Sequence, residues 1–560
     1  MQPSKSYEET NVRLESLPSL GPTSMAVLLA LYSLVFAFLV LLVQMGKVEQ
    51  DVGIGLMVGF VLLQFLLGPW ITDLSLRALG SLTWVKYEDL PPHMATFIAK
   101  VCEAKGIRRP RVGIINDGAP NAFTYGNTHR NARLVITQGI LKLLDEREVR
   151  AVVAHELGHI THADFIFMTV AQMVPILMYT IYRVLTSSKK GDSRRGNALA
   201  AAAIVAYVFY ILSQYIVLFL SRLREYWADR FSVEITRDPQ SMAMALIKIA
   251  YGFAAQADVV ESDDKKAAKK RKATLKDRLK RLKAVGAFGI ADSTRPGAMG
   301  LYAAGSNGMP PASAMVWDLA NPWSRFFELQ STHPMTAKRI KAIANQAAAM
   351  GIPINLEFPK VEGIGWGKFL FEVFILFLPW ICTICLWIGS AFGARDPLSF
   401  RYLIAGFAIG SVLRLLFSYP SGPFKKSTVA DLLKETKASP VHAIPVVVRG
   451  KVIGRGIPGY IFSEDFVMQD ETGFVFLDYE APIPFFNFFF ALLRRGKYQG
   501  QNVVVEGWYR RSPMPYVEIN RLRSETVGEA KCYRRAVALF VWTAVLFLSI
   551  GYPFLVPYLR

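Results

Sequence analysis

Residues 154–159 read Ala154-His155-Glu156-Leu157-Gly158-His159 and lie in a segment with helical character. The two histidines are four positions apart, so on a helix they share one face, about one turn from each other, and can bind the same metal ion. Glu156 projects beside them, where it can take a proton from a metal-bound water. The alternative is an ordinary helix with two surface or packing histidines, but the chain has only 7 histidines and the pattern rarely arises by chance.

Two apolar runs follow the motif, at 165–185 and 198–220, with a polar and basic segment between them. The motif helix is predicted to continue without a break into the first run. If the runs form an antiparallel hairpin centred near Asp192, residues equidistant from that centre meet. His159 lies 33 residues before Asp192 and Glu225 lies 33 residues after it, so the hairpin returns Glu225 to the level of the histidines.

Glu225 would supply the third protein ligand of a zinc site whose fourth position is open to water. Asp229 lies four residues further along the same helical face. It can accept the free ring N–H of a ligand histidine and thereby fix the orientation of that ring. The alternative is a solvated helix end, where the two carboxylates pair with the neighbouring arginines, Arg222, Arg224 and Arg230.

The sequence before the motif predicts a small sheet beside the motif helix. Strand patterns occur at 111–116, 121–125 and 133–137, after an amphipathic helix at 94–105. The second of these strands begins with Asn121-Ala122-Phe123. As an edge strand it can hold an extended substrate backbone by strand addition, which makes these three residues candidates for substrate binding. The alternative is a purely structural strand.

Composition indicates a membrane protein. Hydrophobic residues make up 52% of the 560 residues, and the long apolar runs are typical of membrane spans. The net charge of +20 is then better explained by Lys and Arg in cytoplasmic loops beside anionic lipid than by nucleic acid, so no nucleic acid partner is expected. Seven spans are predicted, at 25–46, 54–72, 165–185, 198–220, 369–392, 398–418 and 536–556.

Two loop segments leave alternatives open. A flexible insert is predicted at 257–315, and between Lys265 and Lys283 it has eleven Lys or Arg and one acidic residue. A basic amphipathic helix on the membrane surface and a solvated insert are equally compatible with that pattern. Further on, Ser331-Thr332-His333-Pro334 precedes a helix predicted at 335–350. A lone histidine in a loop is usually neither a ligand nor a catalytic group, so the pattern itself assigns His333 no role.

The region 427–530 changes character and predicts a small β-barrel. Short alternating strands occur at 446–452, 466–470, 473–478, 501–507 and 516–519, with glycine-rich turns between them. Five such strands are similar to the OB fold. Many OB folds bind nucleic acid or sugars, but this region lacks an obvious row of exposed aromatic residues in basic surroundings. We therefore expect a protein contact or a structural role.

Three motifs occur together, and with them the sequence resembles a known family. They are His155-Glu156-Leu157-Gly158-His159, Glu225-Tyr226-Trp227-Ala228-Asp229 and Ser331-Thr332-His333-Pro334. In this combination the sequence looks like the M48 group of integral-membrane zinc metalloproteases, which includes HtpX-type quality-control proteases and Ste24-type CAAX prenyl proteases. Asn121-Ala122-Phe123 also resembles the N-A-F segment near the active site in that group. The resemblance covers about 25–350 and not 420–560, and the order of the spans fits the HtpX type better.

The resemblance implies one Zn²⁺ per chain and a role for each motif residue. The implied zinc ligands are His155, His159 and Glu225, the catalytic base is Glu156, the carboxylate that orients a ligand histidine is Asp229, and the candidate transition-state donor is His333.

The expected architecture is a multi-pass α-helical membrane protein. It has a mainly α (α+β) zincin-type metalloprotease domain and a small C-terminal all-β (OB-like) barrel. The expected boundaries are a cytoplasmic N-terminal segment at 1–24, a transmembrane hairpin at 25–72, the metalloprotease domain at 73–365 with its membrane hairpin at 165–220, a second transmembrane hairpin at 369–418, the barrel at 427–530 and a last span at 536–556.

The expected function is that of a zinc-dependent endopeptidase in membrane-protein quality control. It would act on protein or peptide substrates from the inner (cytoplasmic) membrane, with its site facing the cytoplasm. Two alternatives stay open: a CAAX-type prenyl-peptide protease, and a membrane scaffold or adaptor that binds a partner protein through the barrel. The complete set of base and ligands favours an enzyme, because nothing else requires Glu156.

Overall fold

The structure of the chain is a computed structural model. It describes residues 17–44, 59, 63, 66–74, 76–77, 82–116, 120–187, 193–251, 315–356, 358, 362–393, 400–455, 466–479, 498–512 and 515–559. These residues form two compact units. The first unit contains the described residues up to Ala250 together with Glu328–Leu356, and the second contains the others. Residues 315–327 thus belong to the second unit. The sequence analysis had instead expected them in the metalloprotease domain at 73–365.

The helices of both units are numbered here in chain order. They are α1 Leu20–Gln44, α2 Pro92–Ala104, α3 Gln138–Leu143, α4 Glu146–Thr161, α5 Asp164–Ser187, α6 Ser193–Thr236, α7 Pro239–Tyr251, α8 Val316–Ala320, α9 Pro322–Glu328, α10 Thr336–Ala349, α11 Trp366–Gly393, α12 Phe400–Ser418, α13 Val429–Lys434 and α14 Arg534–Leu559.

The first unit contains a four-stranded sheet. Its strands are β1 Leu82–Val85, β2 Arg111–Ile115, β3 Ala122–Tyr125 and β4 Arg133–Thr137, in the order β1-β2-β4-β3. The central pair, β2 and β4, is parallel, and the other two pairs are antiparallel. The three strands predicted from the sequence are confirmed, while β1 was not predicted. In this sheet β3 is an edge strand and packs along α4.

The helix that contains the H-E-x-x-H motif is buried along almost its whole length. Asp145 caps its N-terminus in a capping box with Glu148, which satisfies backbone N–H groups that a helix leaves free. The helix ends at Thr161, and Ala163 has a φ of 56°, in the left-handed region. The predicted unbroken passage into the third span is therefore wrong, because this turn stops the helix and α5 starts afresh at Asp164.

Helices α1, α5 and α6 pack together around an apolar core. Its buried members include Leu31 and Phe38 of α1, Val174 of α5 and Ala206 of α6. Two tyrosine pairs between α5 and α6, Tyr179–Tyr210 and Tyr182–Tyr207, have ring centroids 5.2 and 5.1 Å apart. From the first pair to the second, the residue number increases on α5 and decreases on α6. The two helices are therefore antiparallel, and the predicted hairpin is confirmed.

Six helices of the described residues are long and apolar enough to cross a membrane. They are Leu20–Leu41, Asp164–Thr186, Leu199–Thr236, Trp366–Ser390, Phe400–Ser418 and Arg534–Gly551. These agree with six of the seven predicted spans, and most of the other one, 54–72, lies outside the described residues. The candidate span on α6 has 38 residues, and its last part includes charged residues, Glu225 and Asp229 among them. At about 1.5 Å per residue it is roughly twice the length needed to cross about 30 Å of hydrocarbon.

In the second unit, α11 and α12 form a hairpin whose close contact depends on glycine. A Cβ atom on Gly410 would lie 2.4 Å from the Cα of Pro379 and 2.5 Å from the carbonyl oxygen of Leu378. A Cβ atom on Gly406 would lie 2.6 Å from the carbonyl oxygen of Cys382. Small residues four positions apart allow two membrane helices to approach closely.

The second unit also contains the predicted barrel. Its strands are β5 Lys425–Lys426, β6 Ile444–Arg455, β7 Phe466–Gln469, β8 Phe474–Asp478, β9 Asn502–Arg511, β10 Pro515–Ser524 and β11 Gly528–Lys531. Five of them close into a ring, in the order β6-β7-β8-β10-β9 and back to β6. The five predicted strands are confirmed, and β5 and β11 extend the sheet at its sides. The predicted basic insert at 257–315 lies outside the described residues except for Met315.

Candidate metal centre

Three predicted ligands converge at one point of the first unit. The Nε2 atoms of His155 and His159, both on α4, are 3.1 Å apart. Glu225, on α6, has Oε2 3.7 Å from Nε2 of His155 and Oε1 3.5 Å from Nε2 of His159. Metal–ligand bonds of 2.0–2.2 Å in a tetrahedral zinc site place neighbouring ligand atoms roughly 3.3–3.6 Å apart. One ligand atom from each of the three residues lies within 4.8 Å of the other two, which is close enough for the three side chains to share one ion.

Each histidine presents its other ring nitrogen to a carboxylate. Nδ1 of His155 lies 2.9 Å from Oδ1 of Asp229, and Nδ1 of His159 lies 2.6 Å from Oδ2 of Asp164. A carboxylate that accepts the Nδ1–H leaves the lone pair on Nε2, which is the tautomer that binds a metal. Both Glu225 and Asp229 are buried, which excludes the alternative of a solvated helix end.

The sequence analysis missed Asp164. The residue lies five positions after His159 and contacts it only because the chain turns at Ala163. A continuous helix, as predicted, would have carried Asp164 past the site. No local sequence signal would have found it, because nothing in the sequence marks the turn at Ala163 that brings Asp164 to His159.

Arg339 of α10 was also missed. Its guanidinium donates to Asp229 at 2.8 and 2.6 Å, and its Nη1 lies 3.1 Å from Oε2 of Glu225. Burial alone would lower the pKa of Arg339, but the carboxylates of Asp229 and Glu225 raise it above its ordinary value. Arg339 thus balances two buried negative charges. The only signal for Arg339 in the sequence is its position next to the apolar Ile340 in a short helix.

Burial also controls the protonation of the motif residues. It raises the pKa of the Glu156 carboxyl to about 7, while a hydrogen bond with Thr124 of β3 opposes that shift. It lowers the pKa of His155 to about 4, so this ring is neutral at pH 7, as a metal ligand must be. Burial would lower the pKa of His159 as well, but Glu225 and Glu156 raise it. Oε2 of Glu156 accepts no hydrogen bond from any residue that the structure describes.

Of the remaining predicted residues, His333 lies at this centre, whereas Asn121, Ala122 and Phe123 lie at and in β3, the strand that packs along α4. His333 precedes α10, is buried, and has Nε2 3.6 Å from Oε1 of Glu225. Asn121 exchanges hydrogen bonds with Thr137, whose hydroxyl accepts from the Asn121 N–H at 2.8 Å. Ala122 and Phe123 are buried in β3, whose outer edge pairs with no other strand in the described part of the chain.

A helix-borne pair of histidines with a carboxylate from a second helix, in a chain with several membrane-crossing helices, defines a multi-pass membrane metallopeptidase. The sequence profile of peptidase family M48 matches residues 92–347. A protease HtpX homolog of Methanothermobacter thermautotrophicus is 39% identical over 193 residues, which are 34% of this chain and 70% of that protein. The chain belongs to peptidase family M48.

Other relatives agree with this assignment. A protease HtpX homolog of Burkholderia ambifaria is 32% identical over 206 residues, covering 36% of this chain and 72% of that protein. One from Aeropyrum pernix is 32% identical over 215 residues, covering 37% of this chain and 65% of that protein. The crystal structure of S. mikatae Ste24p is 16% identical and covers 58% of this chain and 66% of that chain, but its TM-score of 0.33 is too low to carry an argument.

These matches confirm the resemblance found in the sequence. The chain is a membrane metalloendopeptidase of the M48 family, whose members use a metal ion that is typically zinc. Its surroundings are accordingly a lipid bilayer and its substrates peptides. The family profile ends at residue 347, so it does not extend to the barrel.

Proposed function

We propose that the chain is a zinc-dependent endopeptidase of the inner membrane that degrades faulty membrane proteins and acts from the cytoplasmic side. In this proposal His155, His159 and Glu225 hold one zinc ion. The observation that supports this zinc site is the convergence of the ligand atoms of these three residues. The Nε2 atoms of His155 and His159 are 3.1 Å apart. Each Nδ1 faces a carboxylate, so in the neutral form each ring directs its Nε2 lone pair toward the other ring, and a cation between them would relieve that repulsion.

The roles of the surrounding residues follow from their chemistry. When bound, zinc lowers the pKa of a water molecule toward about 7 and polarises the carbonyl of the scissile peptide. Glu156 takes the proton of the attacking water through its free Oε2 and passes it to the leaving amine. His333 donates a hydrogen bond to the negative charge that develops on the carbonyl oxygen. Asp229 keeps the ring of His155 in its orientation.

Substrate binding is proposed at the outer edge of β3, which begins at Ala122 directly after Asn121. Backbone N–H and C=O groups on this edge can pair with an extended peptide, and Thr124 of the same strand is hydrogen-bonded to Glu156. A peptide added there would therefore lie next to the proposed base. Such binding uses backbone groups, which suits a protease of broad specificity such as one that removes unfolded proteins.

The orientation in the membrane is proposed from charge. The chain has 64 Lys and Arg against 44 Asp and Glu. Lys and Arg are enriched in cytoplasmic loops, and the segments on either side of the 165–220 hairpin, 73–154 and 221–365, each contain more of them than the loop of that hairpin at 187–197, which supports a cytoplasmic site. A protein partner at the barrel stays a prediction.

The proposal is tested with the purified full-length protein in detergent and an unfolded substrate such as casein. Wild type with zinc is expected to cleave casein, and excess chelator should stop it. Glu156→Gln should retain zinc but lose cleavage by about 10²–10⁴-fold, because only the proton transfer is removed. Cleavage by Glu156→Gln at the wild-type rate would contradict the role of this residue. Wild type that contains no metal and does not cleave would favour the scaffold alternative.

A further inference from the structure

A chain of buried polar contacts connects the first membrane helix to the metal centre. His159 is hydrogen-bonded through Nδ1 to Asp164 at 2.6 Å, and Arg224 donates to the other oxygen of Asp164. The second terminal nitrogen of Arg224 donates to the hydroxyl of Ser24 at 2.9 Å. That hydroxyl in turn donates to the carbonyl of Leu20 at 2.6 Å. Four elements, α4, α5, α6 and α1, each contribute one side chain.

Every link between the ligand and the membrane helix is shielded from water. Ser24, Arg224 and Asp164 are 0%, 1% and 4% exposed, respectively. The guanidinium of Arg224 also lies over the ring of Phe167, 4.6 Å from its centroid. In such low-dielectric surroundings hydrogen bonds orient their partners strongly, and a donor that loses its acceptor has no water to replace it.

The position of Ser24 is fixed by the packing of its helix. Leu31, Val35 and Phe38 of α1 are buried against α5 and α6. The hydroxyl of Tyr32 donates to the carbonyl of Val170 on α5 at 3.2 Å. Just before α1, the carbonyl of Pro18 accepts a hydrogen bond from Trp227 of α6 at 3.2 Å. Contacts before Ser24, at Pro18, and after it, from Leu31 to Phe38, therefore fix its position.

If Ser24 had only a structural role, the hydrogen bond from its hydroxyl to the carbonyl of Leu20 in the same helix would be sufficient. Among the residues that the structure describes, Ser33, nine residues further along α1, has only that type of contact, donating to the carbonyl of Ala30 at 2.7 Å, and it is exposed. The additional contact of Ser24 with Arg224 is what joins it to the centre. Ser33 is thus a matched control on the same helix.

We propose that Ser24 is a positioning residue of the metal centre, which acts on His159 through Arg224 and Asp164. This rests on the proposed function, in which His159 is a metal ligand. The hydroxyl holds one arm of the Arg224 guanidinium, the other arm holds Asp164, and Asp164 fixes the ring that presents Nε2 to the metal. The first membrane helix is then part of the metal site and not only an anchor.

Removal of the hydroxyl in Ser24→Ala frees one arm of Arg224 and loosens Asp164 behind the ligand. Loss of a group that directly supports a ligand typically weakens metal binding 10–100-fold. Ser24 acts through two intervening side chains, so we expect about 3–10-fold faster loss of metal to a chelator. The substrate edge at β3 is not touched, so kcat should fall while KM stays unchanged.

The test uses the full-length protein in detergent, as wild type, Ser24→Ala and Ser33→Ala. Zinc loss to a competing chelator is measured, together with the visible spectrum of the Co²⁺-loaded protein and the thermal unfolding midpoint. The expected result is faster zinc loss and shifted Co²⁺ bands in Ser24→Ala alone. If Ser24→Ala and Ser33→Ala match wild type in zinc retention and Co²⁺ spectrum, the inference is overturned while the proposed function stands. If wild type binds no metal, both are overturned.

A second variant keeps the test valid if Ser24→Ala folds poorly. Arg224→Lys keeps a positive charge for Asp164 but has no second nitrogen to reach Ser24. It should reproduce the faster zinc loss, and adding Ser24→Ala to it should cause no further loss, because both changes break one link. Additive losses in the double variant would show that Ser24 acts independently of Arg224 and would overturn the inference.

Discussion

At the scale of single residues, the centre is a balance of buried charges. Glu225, Asp229 and Asp164 are three buried carboxylates, and Arg339 and Arg224 are the buried cations that contact them. Isolated charges at such positions would be very unfavourable, so each is paired and hydrogen-bonded. A bound cation would add positive charge where the Nε2 atoms of the histidines meet.

The pH dependence of cleavage should reflect Glu156. Burial raises its pKa to about 7, and a bound cation nearby opposes that rise. A general base must be deprotonated, so kcat/KM should increase with pH and reach a plateau, with its acid limb at or below about 7. The measurement is the rate of casein cleavage between pH 5 and 8. Zinc content is determined in parallel, because protonated histidines release metal at low pH. A rate that falls as pH rises through this range would contradict the role of Glu156.

Arg339 should be required for stability as well as for the site. In Arg339→Met the carboxylates of Asp229 and Glu225 remain buried without their cation, which should cost about 3–5 kcal/mol in the free energy of unfolding. The measurement is unfolding of the metal-free protein in detergent. Lys341→Met, an exposed change on the same helix, is the control and should shift stability by less than about 0.5 kcal/mol. Equal stabilities of the two variants would rule out this account of Arg339.

At this scale the sequence predicted the groups that share a helical face or a symmetric position in a hairpin. His155, Glu156 and His159 follow from spacing on one helix, and Glu225 follows from its distance to the centre of the hairpin. Arg339 comes from a helix more than 100 residues away in the chain, and no spacing rule connects it with the motif. Its pairing depends on tertiary packing alone.

At the scale of elements, the site depends on how closely helices approach. A Cβ atom on Gly158 of the motif would lie 3.2 Å from the side chain of Phe231 and 3.3 Å from the Cα of Ala228, both on α6. Glycine thus lets α6, and with it Glu225, approach α4. The turn at Ala163 could not be predicted, because it has no Gly, Asn or Pro and alanine seldom takes a positive φ. Eight of the eleven strands and the described spans were predictable, since their periodicity or length is a local property of the sequence, whereas the short strands β1, β5 and β11 were not predicted.

The α11–α12 hairpin offers a test of this packing argument. Gly410→Ala would bring a Cβ atom to 2.4 Å from the backbone of α11, so the helices must separate. We expect a loss of about 1–3 kcal/mol in stability, measured by unfolding in detergent. Gly389→Ala is the control on the facing helix, where no atom of the described part of the chain lies within 4 Å of the added atom. If Gly410→Ala were as stable as Gly389→Ala, the close contact between α11 and α12 would be refuted.

At the scale of the whole molecule, the family profile and the composition of the sequence account for different parts of the protein. The family profile at 92–347 ends before the barrel, so membership in the family accounts for most of the first unit and not for the barrel. Composition predicted the membrane and alternation predicted the barrel, because both are averages over many residues. What the barrel binds depends on its surface, and averages of this kind contain no information about that surface.

The central claim is that one zinc ion is bound by two histidines and a glutamate. X-ray absorption at the zinc edge of the purified full-length protein tests it most directly. The account predicts one zinc per chain with only nitrogen and oxygen neighbours at about 2.0–2.2 Å, and a loss of bound zinc in Glu225→Ala. Sulfur neighbours at about 2.3 Å would instead indicate binding by cysteine, and unchanged zinc content in Glu225→Ala would contradict the proposed ligand set.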